Sequence, residues 1–378
     1  MSQDVPEAKV RPEVLIMGAG IAGLTLAILL EQINIPYQIF ERATEVKPLG
    51  YENLVFSRPR FHEILLKRVP EHKIGFNKNA LRIEEKEEKV HVHCSDNTSY
   101  AGDILVGADG AYSKVRQSMY GLMDEKGILP KADLENFKVN YTTIVGVATL
   151  SNPEKYPKLK EEYSNFNQVI YGDGANCYVI TLPDNQISWG FGVQLSESPL
   201  KEMYSKNSEW TPEIKDTTLE RYRDFPCPVG GTMGELFDAT PRHLISKVFI
   251  EEKMFKTCYN SRSILIGDGV SDILFTYFTY PSTQQFHPSG GQGAQHAIQD
   301  AISLANCLYS MKDNSLESIS STFGEYYKQR YDRNVAKFNR STHAAKILNG
   351  QVNMEKTSMI EWPSVPKTSK DLTDLPCI

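Results

Sequence analysis

The sequence lacks the features that mark membrane-spanning, secreted and nucleic-acid-binding proteins. It has no apolar run of about 18 residues, so we expect no transmembrane segment. The first ten residues contain no apolar core, which predicts no secretory signal peptide. Six cysteines lie far apart without a CxxC pair, as in reduced proteins of the cytoplasm. A net charge of -6 gives no electrostatic reason to expect a nucleic-acid partner.

Patterns of metal ligands and of nucleophilic triads are also missing. His91 and His93 share one face of a predicted strand, but no third ligand is spaced near them. Exposed strand histidines are the simpler interpretation, so we expect no metal. No Ser/His/Asp arrangement is visible, and the sequence nominates no catalytic residue.

A glycine-rich turn near the start of the chain is the strongest positive feature. Residues 14–27 are VLIMGAGIAGLTLA, a buried strand that runs into a helix at Gly18, Gly20 and Gly23. These glycines permit a tight turn, close approach to a pyrophosphate, and close packing of helix on strand. Glu41 follows a second strand, 18 residues beyond Gly23, where a carboxylate can bind an adenosine ribose. The sequence therefore predicts a dinucleotide-binding turn, and a glycine turn that binds nothing is the alternative.

Two later segments repeat the combination of strand, acid and glycine. A buried strand over 104–106 ends in Gly-Ala-Asp-Gly, where Asp109 is expected to cap the next helix. A second strand, SILIG over 263–267, leads to Asp268, and the sequence HPSGGQGAQHAIQDA over 287–301 opens a long helix. Helix N-termini favour negative charge, so this pair predicts a second turn that binds part of a cofactor.

Together these segments resemble the single-component FAD-dependent monooxygenases with the para-hydroxybenzoate hydroxylase fold, and the details are most similar to fungal-type members. The resemblance rests on GAGIAGL with Glu41 and Arg42, on GADGAYSKVR, and on LIGD followed by HPSGGQGAQHAIQDA. It implies an α/β fold with a discontinuous Rossmann-like FAD-binding domain, an inserted and mostly antiparallel β-sheet for the substrate, and a C-terminal helix. It also implies FAD as cofactor, with NADH or NADPH and O₂ as co-substrates. The expected substrate is a small aromatic, terpenoid or polyketide molecule of secondary metabolism, which is hydroxylated or epoxidised.

The resemblance assigns cofactor contacts to specific residues. The glycines at 18, 20 and 23 would hold the pyrophosphate, Asp109 would serve both FAD and NAD(P)H, and Asp268 would bind the ribityl or pyrophosphate part. The full set of implied cofactor-binding residues is Gly18, Gly20, Gly23, Glu41, Arg42, Gly50, Arg58, Asp109, Asp268, Gly291, Gly293 and Ala294. Tyr171, Tyr178 and Trp189 are candidates to line the substrate pocket, although packing in a core is the preferred interpretation for each.

Two departures from the family pattern stand out. Members carry roughly fifty further residues between the loop at Gly50 and the helix at Arg58, whereas here Gly50 adjoins Tyr51. Residues 269–285 are inserted where the family has a short link. Their first and last residues, Gly-Val-Ser and Gln-Gln, fit a translated splice donor and acceptor, so we hypothesise an omitted exon and a retained intron fragment. A catalytically impaired FAD-fold protein, or a flavin oxidoreductase of another reaction type, is the alternative function.

The domain prediction divides the chain into five parts. FAD-binding segments cover 12–124 and 256–310, and the substrate sheet covers 125–255. A C-terminal helix covers 311–350, with Tyr326, Tyr327 and Tyr331 on one stripe and Arg and Lys opposite. Packing on the flavin domain is the preferred interpretation of that helix, and contact with a membrane surface is the alternative. Residues 351–378 are expected to be disordered, and the oligomeric state is unknown.

Overall fold

The structure is a computed structural model of the 378-residue chain. It describes residues 11–44, 58–86, 88–110, 112–135, 138–170, 175–194, 219–267, 271–275, 293–348, 358–361 and 365–366. Two large sheets dominate these residues, and each has its own apolar core. The expected α/β fold is confirmed.

A six-stranded sheet carries the predicted glycine turns. Its order is β14-β15-β7-β1-β2-β3, and every neighbouring pair is parallel except β14 with β15. The strands are β1 (Val14–Met17), β2 (Tyr37–Phe40), β3 (Ile74–Gly75), β7 (Ile104–Gly107), β14 (Tyr259–Asn260) and β15 (Ser263–Leu265). The central strands are continuous apolar runs because helices cover both faces of a parallel sheet.

Seven α-helices are assigned in the described part of the chain. They are α1 (Ile21–Gln32), α2 (Arg58–Lys67), α3 (Lys114–Glu125), α4 (Lys131–Leu134), α5 (Met233–Asp238), α6 (Gly293–Ser310) and α7 (Leu316–Leu348). Helix α1 packs against α6, and α6 packs against α7. Small side chains such as Ala22 and Ala297 allow the close approach of α1 and α6.

A seven-stranded sheet forms the second layer, in the order β16-β13-β8-β12-β11-β10-β17. Its strands are β8 (Lys138–Thr149), β10 (Phe166–Ile170), β11 (Ala175–Thr181), β12 (Gln186–Gln194), β13 (Ser246–Met254), β16 (Ser271–Phe275) and β17 (Ser358–Glu361). All its pairs are antiparallel, as expected for this part of the chain. The turn between β11 and β12 has Asp184 and Asn185 at positive φ, which is typical of a tight hairpin.

A three-stranded antiparallel sheet completes the architecture, with β4 (Ala80–Lys86), β5 (Lys89–Cys94) and β6 (Ser99–Gly102). A two-stranded pair joins β9 (Tyr163–Ser164) to β18 (Val365–Pro366). The strand predicted to carry His91 and His93 is therefore confirmed as β5. His93 bonds Ser99 and Glu84, which is a structural role.

The expectation of disorder after residue 350 is wrong for two short segments. Strand β17 pairs with β10, and β18 pairs with β9. Strands of four and two residues are too short to show a sequence pattern, and an edge strand gains its hydrogen bonds from a neighbour that the local sequence does not specify. Part of the insert at 269–285 also has a defined place, since β16 pairs with β13 at the other edge of the same sheet.

Helix α7 packs on the core of the six-stranded sheet. Phe323 and Tyr326 are buried in that core, which favours the packed interpretation of this helix over contact with a membrane. Arg330 was expected on the polar side, yet it is 2% exposed. Among the described helices, none combines the length and apolar character that crossing a membrane requires.

Candidate dinucleotide-binding site

The glycine turn between β1 and α1 is shaped by steric contacts at its first and third glycines. Gly18 has φ +105°, and a Cβ there would lie 2.4 Å from the Ala108 carbonyl oxygen. A Cβ on Gly23 would lie 2.0 Å from the Gly18 carbonyl oxygen. A Cβ on Gly20, in contrast, would meet no atom within 4 Å. The turn is therefore tight against the protein on two sides and open at Gly20, where a phosphate needs room.

The N-terminus of α1 lies at this opening without a side-chain cap. Its N-cap is Gly20, which has no side chain to cap the helix, and the first turn contains no acidic residue. The first N–H groups of a helix have no partner within the helix, and the helix dipole adds positive potential. This end of α1 can therefore bind an anion.

Glu41 lies at the end of β2 and contacts the same turn. Its Oε2 accepts the backbone N–H of Ala19 across 2.8 Å, and its Oε1 accepts that of Ala43 across 2.9 Å. Each carboxylate oxygen has a further lone pair, so both can still accept from a hydroxyl. Arg42 is the next residue and is exposed. The structure thus brings together the glycines and the acid that the spacing predicted.

Asp109 follows β7 and lies beside the glycine turn, because a Cβ on Gly18 would be 2.9 Å from the Asp109 Cα. Its Oδ2 accepts the backbone N–H groups of Lys114 and Val115 at 2.7 and 3.3 Å, as predicted for an acid at this helix start, although the N-cap itself is Ser113. Its Oδ1 is buried without a partner. Burial raises the pKa of this carboxyl, while hydrogen bonds from Ser113 and the backbone lower it in part.

The end of β15 reaches the same region. Gly267 has φ +63°, and a Cβ there would lie 3.1 Å from the Cβ of Ala22 and 3.7 Å from that of Ala297. Gly267 therefore lies between the first turn of α1 and α6. The carboxyl ends of β1, β7 and β15 meet at one edge of the sheet because these strands are parallel.

Several predicted site residues cannot be placed. Gly50, Asp268 and Gly291 lie outside the described residues, as does the side chain of Arg58 at the start of α2. Gly293 is the first residue of α6, and Ala294 packs partly buried against the core. Gly293 and Ala294 therefore lie in the first turn of the helix that packs against α1.

Two contacts near this site were missed by the sequence analysis. His62 on α2 lies 2.6 Å from the Ala19 carbonyl oxygen through its Nε2, and it ties α2 to the glycine turn. Asp300 on α6 binds both the backbone of Gly267 and the side chain of Arg330 on α7. Neither contact has a local sequence signal, since each joins elements far apart in the chain.

The seven-stranded sheet has two different faces. One is apolar and includes Trp189, which is fully buried and donates from Nε1 to Thr240 Oγ1 across 2.9 Å. The other carries Gln168 opposite Tyr178, and Tyr178 opposite Gly190. A Cβ on Gly190 would lie 2.1 Å from the Tyr178 ring, so the ring covers this glycine. Trp189 is thus a core residue, Tyr178 lies on the polar face, and Tyr171 lies outside the described residues.

Gln168 is the most unusual residue of that polar face. It is 1% exposed, and neither its Oε1 nor its Nε2 has a hydrogen-bond partner. An unpaired buried amide costs roughly 1–3 kcal/mol. Such a group is expected where a ligand supplies the missing partner. No cluster of three potential metal ligands occurs in the part of the chain that the structure describes.

Comparison with known proteins shows which proteins this chain is similar to. No protein-family model matches the chain. The FAD-dependent monooxygenase ausM of Penicillium brasilianum is 24% identical, covering 92% of this chain and 81% of its own. The FAD-dependent monooxygenase atmM of Aspergillus flavus is also 24% identical, covering 98% and 87%. The relatives of this chain are FAD-dependent monooxygenases. The resemblance inferred from the motifs is confirmed.

The fold of these monooxygenases is confirmed by solved structures. Klebsiella pneumoniae HpxO, determined with FAD and uric acid, superposes with a TM-score of 0.65 at 20% identity. The superposition covers 90% of this chain and 89% of HpxO.

The monooxygenase relatives contain residues that this chain lacks. The ausM alignment extends over 414 positions, whereas 92% of 378 residues is about 348, which leaves about 66 positions without a residue here. The atmM alignment extends over 445 positions against about 370 residues, which leaves about 75. These gaps are large enough to contain the segment expected to be missing after Gly50.

Proposed function

We propose that this protein is an FAD-dependent monooxygenase that uses NADH or NADPH and O₂ to hydroxylate or epoxidise a small organic molecule. The observation that carries the proposal is the meeting of Gly20, Glu41, Asp109 and Gly267 at one edge of the parallel sheet. In open α/β sheets, nucleotides bind at this edge. The names of the relatives agree with this activity.

The described residues fit FAD by their shape and hydrogen-bonding capacity. The open space at Gly20 and the uncapped start of α1 suit a pyrophosphate. Glu41 has acceptor capacity left for ribose hydroxyls, and the unpaired Asp109 Oδ1 lacks a donor that a ligand can supply. We assign the remaining contacts to the ribityl chain, the adenosine and the flavin ring as the family pattern implies, with Asp268, Arg42, Arg58, Gly50, Gly291, Gly293 and Ala294.

The chemistry of oxygen transfer belongs to the cofactor. Bound FAD, once reduced by the nicotinamide, activates O₂ so that one oxygen atom can be transferred to an electron-rich carbon. The protein must bind the cofactor, orient the substrate and exclude water. No general acid or base is required from the described residues for this role.

We place the substrate against the polar face of the seven-stranded sheet. Gln168 offers one acceptor and two donors there, and Tyr178 is its partner on the neighbouring strand. A ligand with a carbonyl next to a hydroxyl or amide group would satisfy this amide. The relatives named above are fungal FAD-dependent monooxygenases, and HpxO was solved with uric acid, so we propose an oxygenated aromatic, terpenoid or polyketide substrate of secondary metabolism.

The cysteines support a proposal for the compartment. The five cysteines that the structure describes are buried and are not joined in disulfide bonds. Buried reduced thiols are typical of proteins in a reducing compartment. We therefore propose that the protein acts in the cytoplasm.

A catalytically impaired flavin protein is the second candidate function. The insert at 269–285 favours it, because it begins two residues after Gly267, at the edge where FAD would bind. Strand β16 lies within this insert and pairs with β13 of the seven-stranded sheet. The insert therefore takes the chain from the six-stranded sheet to the seven-stranded sheet. A protein altered in this way would bind FAD weakly.

Purified full-length protein distinguishes these functions. A monooxygenase will show flavin absorption and will consume NADH or NADPH in a substrate-dependent manner, with isotope from labelled O₂ entering the product. An oxidase will consume O₂ without incorporating it. A colourless protein that takes up no added FAD would contradict the proposal and support the impaired form.

A further inference from the structure

A buried ion pair connects α7 to α6 beside the proposed cofactor site. Arg330 Nε donates to Asp300 Oδ1 across 2.6 Å, and the two side chains are 2% and 3% exposed. Moving both charges out of water is costly, and a buried pair of this kind often adds no net stability. Its presence therefore calls for a role besides holding two helices together.

The other hydrogen bonds of Arg330 fix the orientation of the guanidinium group. Nη1 donates to Gln299 Oε1 across 3.2 Å, and Nη2 lies 3.3 Å from both His296 Nδ1 and Asn334 Oδ1. His296, Gln299 and Asp300 share one face of α6, since they are spaced by three and four residues. The planar guanidinium group thereby holds the Asp300 carboxylate in one orientation.

The second oxygen of Asp300 binds the end of β15. Oδ2 accepts the backbone N–H of Gly267 across 2.9 Å, inside the core. Gly267 lies against the first turn of α1, because a Cβ added to it would be 3.1 Å from that of Ala22. The hydrogen bond therefore determines where the chain leaves the sheet relative to the helix N-terminus that would face the pyrophosphate.

We propose that Asp300, oriented by Arg330, is a positioning residue for the cofactor site, because it fixes the backbone at Gly267 against the start of α1. This inference rests on the proposed binding of FAD. A charge-assisted hydrogen bond to a backbone N–H is stronger than a neutral one, so its loss lets the end of β15 shift. An ion pair that merely stabilised the fold would change the unfolding free energy and leave FAD affinity unchanged.

Two double variants separate these roles. Asp300→Asn with Arg330→Met removes both charges but leaves a carbonyl acceptor for the Gly267 N–H. Asp300→Leu with Arg330→Met removes the charges and the acceptor, with a side chain of similar size. FAD dissociation constants are measured by titration of flavin fluorescence on the full-length proteins, and the folding of each variant is checked by circular dichroism.

We expect the Asn-containing variant to bind FAD within about threefold of the wild type, and the Leu-containing variant to bind about tenfold more weakly than the Asn-containing one. Equal affinities of the two variants would overturn the proposal, whether both match the wild type or both are weakened. A wild-type protein that binds no FAD contradicts the proposed function instead, so the two failures are distinguishable.

A third variant keeps the test decisive if the Leu-containing protein does not fold. Arg330→Lys retains the positive charge but loses the planar group that orients Asp300. We expect faster hydrogen exchange at the Gly267 amide of the FAD-free protein, together with weaker FAD binding. Faster exchange with unchanged affinity, or unchanged exchange, would overturn the proposal.

Discussion

The backbone N–H of Ala19 donates to the Glu41 carboxylate across 2.8 Å, and this bond joins the glycine turn to the end of β2. The same carboxylate is therefore both a structural acceptor and the proposed ligand of the adenosine ribose. Its two functions can be separated by substitution, because a neutral amide keeps one acceptor oxygen.

Glu41→Gln should weaken FAD binding by about tenfold or more. Hydrogen bonds to a charged group contribute about 1.5–3 kcal/mol, and an amide replaces one acceptor with a donor. The measurement is a fluorescence titration with FAD. Glu84→Gln is the control, because the Glu84 side chain is 45% exposed and lies on the three-stranded sheet. Equal affinity for Glu41→Gln and the wild type would exclude the ribose contact.

Gly23→Ala should destabilise the protein by about 2 kcal/mol or more. The added Cβ would lie 2.0 Å from the Gly18 carbonyl oxygen, which the backbone cannot accommodate without moving. Gly121→Ala is the matched control, because a Cβ there meets no atom within 4 Å in the exposed middle of α3. That change should stabilise by about 0.5–1 kcal/mol. Urea unfolding of both variants measures the difference, and similar effects would argue against the tight turn.

Asp109→Asn should alter the pH dependence of stability. Burial raises the pKa of the Asp109 carboxyl in the folded state, so the folded protein holds a proton that the unfolded chain has released. Wild-type stability therefore falls as pH rises from the ordinary carboxyl pKa through the raised one. The amide of the variant does not titrate. At a pH above the raised pKa, the variant should therefore gain stability relative to the wild type. Melting temperatures of both proteins from pH 4 to pH 8 measure the gain, and a constant difference would contradict it.

Gln168→Met should stabilise the ligand-free protein by about 1–3 kcal/mol. The unpaired buried amide is replaced by an apolar side chain of similar length, which removes its desolvation cost. Thr181→Val is the contrasting control, because Thr181 Oγ1 accepts the Asn165 N–H across 2.8 Å and its loss should destabilise by about 1 kcal/mol. Thermal unfolding distinguishes them. Destabilisation by Gln168→Met would show that the amide has a structural partner.

The glycine turn and Glu41 were predictable from the sequence because their constraints are local. A strand, a tight turn and a helix follow one another within 14 residues, and the spacing to the next strand places the acid. The capping contact of Asp109 was predictable for the same reason. These parts of the site depend on neighbours in the chain.

The contacts that organise the site at a distance were not predictable. Arg330 was expected on the polar side of α7, but it pairs with Asp300, 30 residues away on another helix. Strand β17 lies in a polar segment, and only its pairing with β10 makes it a strand. Burial and pairing of this kind arise from tertiary packing, which overrides local propensity.

The pairing of strand β17 with β10 also affects how the protein folds during translation. It adds to the edge of β10 nearly two hundred residues after that strand has been translated. While the ribosome is still extending the nascent chain, the β10 edge is bare and open to pairing with another polypeptide. Removal of β17 would leave this edge open permanently, whereas a solubility tag placed after β17 would retain the strand that closes it.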